Sequence, residues 1–136
     1  MSQATVGTLD ITFKAGEVLT DKKYHFVQLN SDGDVIVSDG VGSVSIGILQ
    51  DEPDTIGRAA RVRLSGTSKL VMAEACPAEG PFGGFNKGAL IVSNTVGKGV
   101  VANMYEYIGA IALEAADSAD EIIEVLITHM YAPGSV

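Results

Sequence analysis

Along this chain apolar residues recur at every second position far more often than at a helical spacing. Leu9, Ile11 and Phe13 alternate with Asp10 and Thr12; Val44, Ile46 and Ile48 alternate with Ser45 and Gly47; Ala60, Val62 and Leu64 alternate with Arg61 and Arg63. Side chains of a strand point alternately to its two faces, so each set predicts a strand with one face turned inward. Fuller apolar runs at Val35 to Val37, Leu90 to Val92, Ile108 to Leu113 and Ile122 to Ile127 predict strands covered on both faces. Between the runs lie turn signals, Asn30-Ser31-Asp32-Gly33, Ser38-Asp39-Gly40 and Thr95-Val96-Gly97-Lys98-Gly99, in which glycine can take a positive φ. The expected fold is all-β: a compact sandwich or barrel of short strands, with at most one or two short helical turns.

One stretch competes with that reading. Glu114 to Glu124 is rich in alanine, and Ser118 and Glu121 have capping-box spacing. The residues that follow, Ile122 to Ile127, are β-branched and suit a strand. The acidic stretch is therefore expected to be a loop with at most one helical turn.

The chain also carries an internal repeat. Gly33 to Gly42 reads GDVIVSDGVG and Gly88 to Gly97 reads GALIVSNTVG, with six of ten pairs identical. An apolar strand follows each copy, ending at Leu49-Gln50 or Leu113-Glu114, then an acidic loop, then a strand ending at Leu64 or Ile127. This organisation predicts a single β domain over 14–130 with related halves at about 24–66 and 86–128. An N-terminal arm and first strand at 1–13 precede it, and a short tail at 131–136 follows.

Composition narrows the partners. A chain of 136 residues suffices for one domain. Nine basic against seventeen acidic side chains give a net charge of −8, which opposes approach to a polyphosphate or an anionic bilayer, so neither nucleic acid nor membrane is an expected partner. The acids fall in two patches, Asp51, Glu52 and Asp54, and Glu114, Asp117, Asp120, Glu121 and Glu124, which read as solvated loops. The N-terminus has no basic segment followed by an apolar run, and no apolar stretch approaches the roughly 18 residues of a membrane span, so a soluble protein is expected.

Candidate chemistry is sparse. The two histidines, His25 and His129, accompany no nucleophile elbow. Gly40-Val41-Gly42-Ser43 and Gly97-Lys98-Gly99 lack the Gly-Lys-Ser/Thr ending of a phosphate loop and read as turns. Asn30, Asp32 and Asp34 alternate as calcium ligands can, but Val35 stands where that loop needs glycine and Val41 where it needs the bidentate acid, so a hairpin turn is expected. Cys76, the single cysteine, has no basic neighbour to lower its pKa. The adjacent carboxylates Asp51 and Glu52, and Asp120 and Glu121, lie in no recognisable sugar cleft. The expectation is no catalytic residue, no cofactor and no metal.

Three features are candidates for contact instead. Arg61 and Arg63 share a side of one strand, with Arg58 before and Lys69 after, giving an acidic protein one basic stripe. It suits either a solvated face or an acidic patch of a neighbouring copy or larger partner. The segment Met1 to Gly7 lacks periodicity and suits an arm that orders on a partner, with Ser2, Gln3 and Thr5 as its contact residues. The loop Cys76 to Phe85 exposes Phe82 and Phe85 as a third possible contact.

The succession LNSDGDVIVSDG, IGILQDEPD, ARVRLSGTSKLV, GALIVSNTVGKGVVA and IGAIALEAADSADEIIEVLI resembles the phage capsid decoration proteins of a widespread family long labelled a domain of unknown function. The matching segments are Gly47 to Gln50, Val62 to Gly66, Ile111 to Ala115 and Ile123 to Leu126, and the resemblance spans residues 14 to 128. It implies a structural virion protein rather than an enzyme. Such a protein is made in the host cytoplasm, binds the phage major capsid protein on the outer capsid surface as a homotrimer, and bridges capsomers. Some members carry a recombinase-like label, which neither the charge nor any Walker lysine supports here. The alternative is a trimeric host-surface or glycan-binding module of a phage head or tail fibre, for which Tyr105, Tyr107, Tyr131, Phe82 and Phe85 are the candidate aromatics. A small β-fold enzyme would need a pocket uniting His25 or His129 with carboxylates.

Overall fold

The computed structural model describes residues 7–40, 44–74, 89–102 and 106–131. Among these residues are ten strands and no helix. The first five are β1 (Leu9–Lys14), β2 (Phe26–Leu29), β3 (Val35–Val37), β4 (Gly47–Leu49) and β5 (Ala59–Ser65). The second five are β6 (Thr67–Val71), β7 (Leu90–Ser93), β8 (Gly99–Val101), β9 (Tyr107–Ala112) and β10 (Ile122–Tyr131). The all-β expectation is what the structure has. The acidic stretch after Leu113 forms bends and turns without a helix. Within it the Glu121 carboxylate accepts from the Asp117 amide at 2.7 Å, a local turn lock in place of a capping box on Ser118.

The two sheets have the same plan. Strand order is β1-β5-β4-β2-β3 in the first and β6-β10-β9-β7-β8 in the second, so raising every number by five converts one into the other. All the strand pairs within the sheets are antiparallel. Each sheet also curls until its edges meet: Ala15, just past β1, bridges Val35 of β3, and Met72, just past β6, bridges Gly99 of β8. The amides of Gly16 and Ala73 donate across these seams to Val35 and Gly99 at 2.7 and 2.8 Å. Each half is thus a five-stranded, partly closed barrel. The seams pair part of the edge backbone within the chain, which weakens open edges as a reason for self-association.

The hairpins fix the correspondence between halves residue by residue. The Asn30 side-chain oxygen accepts from the amides of Asp32 and Asp34 at 2.9 and 3.0 Å, and that of Asn94 accepts from Val96 and Lys98 at the same two distances. Gly33 and Gly97 then both take φ of 81°, a left-handed conformation that costs glycine little. The β2–β3 turn therefore corresponds to the β7–β8 turn. The sequence match of 33–42 with 88–97 instead lays β3 on β7, one strand out of step. Its cause is that β3 and β7 are both short Val/Ile strands beside a glycine turn, a composition set by half-buried pleated surface rather than by position in the fold.

The core follows from strand parity. Val27, Val35, Leu49, Ala60 and Val62 point into the first barrel with Ala15 and Leu19, and all are fully buried. Ile91, Ala110, Ala112, Ile123 and Val125 fill the second with Leu70 and Met72. Phe26 and Ile48, which alternate with Val27 and Leu49, point out of the first barrel and are buried in the second core. Phe26 lies so close to Gly109 that a Cβ there would come within 2.6 Å of its ring. A buried hydrogen bond of 2.9 Å from Gln50 Nε2 to Ser68 Oγ adds a polar tie between the halves.

Candidate functional site

The basic stripe is the first feature to test against geometry. Arg63 on β5 is the register partner of Asp10 on β1. Its Nε donates to Asp10 Oδ1 at 2.7 Å and its Nη2 to Oδ2 at 3.1 Å, while Nη1 reaches the Thr67 carbonyl at 3.1 Å. Arg61 Nε stands 3.6 Å from the same carboxylate. The hydrogen bond from Arg63 holds the Asp10 carboxyl below the usual carboxylate range; desolvation opposes it, and the charges of Arg63 and Arg61 add to it. Arg58 pairs with Asp54 at 3.7 Å, both side chains about two thirds exposed. Arg63 is thus a strap between strands, and the cationic surface left on this face is that of Arg58 and Arg61.

A second feature lies at the ends of β9 and β10. Tyr107 and Tyr131 are register partners, with ring centroids 4.9 Å apart and planes tilted by 60°. With Val44, Ser45, Met130 and His129 they line a groove of about 220 Å³. Val44, Tyr107, Met130 and Tyr131 are all exposed there. His129 Nε2 is 3.0 Å from the Leu64 carbonyl, which orients the imidazole at the groove wall.

A third is a cleft of about 500 Å³ where Lys22, Lys23 and Lys98 meet Asp21 and Glu52. Lys98 also pairs with Asp120 at 2.5 Å, so charges of the two signs nearly balance. The turn that carries the two adjacent lysines is tight, with left-handed φ at Asp21 (63°) and Tyr24 (65°). His25 follows it, buried, its Nδ1 3.1 Å from the Lys23 carbonyl. Burial pushes its pKa down; the Lys23 carbonyl opposes the shift, and the charges of Lys22 and Lys98 add to it.

No family model matches this chain, and no curated protein matches it significantly. Among solved structures, its fold is similar to the crystal structure of the head fiber gp8.5 N base in bacteriophage phi29. The TM-score is 0.64, and the match covers 89% of this chain and 94% of that one at 11% identity. At that identity the likeness is one of fold.

The structure separates the features the sequence singled out. Arg61 and Arg63 do share a face. Asn30 and its neighbours form a hairpin turn, as do Asn94 to Lys98. Asp51 accepts the Arg61 amide at 3.2 Å, Asp120 pairs with Lys98, and Glu121 caps Asp117, so these acids lock loops. Among the described residues no cluster of three His, Cys, Asp or Glu could hold a metal. Ser2, Gln3, Thr5, Cys76, Phe82, Phe85 and Tyr105 lie outside the described residues.

Sequence reasoning missed Asp10 as the partner of both arginines, and missed Val44 and Met130 beside the tyrosines. The alternation of Asp10 and Thr12 against Arg61 and Arg63 was the available signal for the first. It required knowing that β1 pairs with β5. The second had no signal, because Val44 comes from the other half of the chain.

Proposed function

We propose that this chain is a structural protein of a phage head that docks on the outer surface of the shell and stabilises it by bridging capsomers. The observation that carries this reading is the likeness of fold, over nearly the whole of both chains, to the base of a phage head fibre. The sequence resemblance to capsid decoration proteins points the same way. A protein that binds the assembled shell and not its dissociated parts stabilises the assembly by linkage, and many copies on one particle multiply a modest interface. The partner is the major capsid protein, and the chain acts as a homotrimer without catalysis. Arg58 and Arg61 offer exposed cations to an acidic partner surface; the other candidate contacts are Ser2, Gln3, Thr5, Phe82 and Phe85.

The test is to incubate the purified protein with shells that lack it, image them, and heat them. Bound density on the outer surface and a higher rupture temperature are expected. Shells that remain bare at saturating protein would overturn the reading.

A second reading, a glycan-binding module of a head or tail fibre, is favoured by the Tyr107 and Tyr131 groove. Two inclined, half-exposed rings beside an imidazole can stack on a sugar ring. Glycan-array binding lost in Tyr131→Ala, by a protein that ignores shells, would establish it instead.

A further inference from the structure

The correspondence between the halves exposes an asymmetry. In the first half Arg63 of β5, Ile48 of β4 and Phe26 of β2 are successive register partners and form one row on the outer face of the sheet. Phe26 and Ile48 in that row are fully buried, because the second half packs onto them. The corresponding row of the second half is Leu126 of β10, Ile111 of β9 and Leu90 of β7. Here Leu126 is 40% exposed, and Ile111 and Leu90 are half-buried. Ile122 and Leu113, on the same face by alternation, are 48% and 38% exposed.

The substitutions along the row run against what solvent favours. Where the first half has Arg63 opposite Asp10, the second has Leu126 opposite Thr67. The ion pair has been replaced by an apolar pair on the half whose outer face is open. An apolar row spanning three neighbouring strands on an open sheet face marks an interaction surface. The row beside it pairs Lys69 with Glu124, opposite charges side by side. In a protein of net charge −8, a face with balanced charge is where two copies can approach without mutual repulsion. The first half shows what covers such a row in this fold: another half-barrel of the same kind.

We propose that the outer face of the second sheet, centred on Leu126, Ile111 and Leu90, is the surface through which copies of this chain associate. This rests on the self-association included in the proposed function, and names its surface. The interface buries Leu126 and its neighbours at the centre and sets Lys69 and Glu124 at the rim, where they select the partner's orientation.

Light scattering and sedimentation of the full chain at roughly 1–100 µM test it, that being the range of weak specific association. Association is expected for the parent chain. Leu126→Glu should raise the dissociation constant at least about tenfold by burying an unpaired charge, with Leu126→Thr intermediate. Lys69→Glu, exposed and outside any core, serves as the second variant and should weaken association by breaking the charge balance at the rim. Thermal melts at a concentration where the parent is monomeric should superimpose for all four proteins. A parent chain that is monomeric throughout overturns the proposal, and so does association of Leu126→Glu and Lys69→Glu as tight as the parent's. Shell binding is read separately: a monomer that binds shells removes this interface and leaves the docking function, whereas association through Leu126 with bare shells does the reverse.

Discussion

Arg63 grips both oxygens of Asp10 across the β1–β5 ladder, and so ties the first strand of the chain to the strand that leads into the second half. The pair is bidentate, with both side chains less than a quarter exposed, the geometry in which an ion pair contributes beyond the near-zero value of most surface pairs. Asp10→Ala should cost about 1 kcal/mol in urea unfolding after allowance for solvent screening. Its pH signature has a definite sign. The folded-state pKa is depressed, so the stabilisation is whole above the unfolded value near pH 4 and is lost as pH falls through the folded value. Acid titration of the parent and of Asp10→Asn should therefore converge at low pH; curves that stay parallel would contradict the assignment.

His25 should give a second pH effect in a higher window. Burial depresses its pKa, so the unfolded chain takes up a proton near pH 6.5 that the folded chain resists. Its contribution is complete above that pH and gone once pH passes below the folded value. Urea midpoints measured between pH 7.5 and 5 should fall for the parent chain and fall less for His25→Asn. An identical slope in the two proteins would show that His25 is not the titrating group.

The two equivalent turn glycines should differ in cost. Both take φ of 81°, but a Cβ at Gly33 meets open space, whereas one at Gly97 would lie 2.8 Å from the Phe26 carbonyl and 2.7 Å from Val37. Gly33→Ala is expected to destabilise by roughly 1 kcal/mol, the strain of a left-handed alanine. Gly97→Ala should cost at least about twice that, because steric displacement of β2 is added to the strain. Equal melting temperatures for the two variants would refute the contact between this turn and β2.

Phe26 joins the halves, and its truncation should be the most damaging of these changes. Phe26→Ala is expected to cost about 3–5 kcal/mol, as a fully buried ring leaves a cavity against Gly109 and the second core. Because the cavity opens between the half-barrels, hydrogen exchange should quicken in both halves together. Exchange confined to β2 and β3 would mean that the halves unfold independently.

What could be read along the chain was whatever depends on neighbours in sequence. Period two in Leu9 to Phe13 and Ala60 to Leu64 announced strands, since alternation is a property of one strand's own geometry. Asn30 to Gly33 and Thr95 to Gly99 announced turns, because an Asn side chain and a positive φ act within four residues. The β-branched run after Glu121 settled strand over helix at β10. Net charge bore on partners without any structure.

Tertiary structure decided everything that depends on which strands meet. Arg63 was read as a cation open to a partner, and became a strap only because β1 lies beside β5, fifty-three residues away along the chain. The repeat was visible in composition, yet its register came from two hydrogen-bonded turns and the seams at Ala15 and Met72. Val44 reached the tyrosine groove from the other half. Phe26 and Leu90 occupy equivalent positions with similar side chains, and only packing makes one the centre of the core and leaves the other on a half-covered face. Local pattern determines which faces are apolar; it cannot say which apolar face is covered, because burial is a property of the neighbours a chain acquires when it folds.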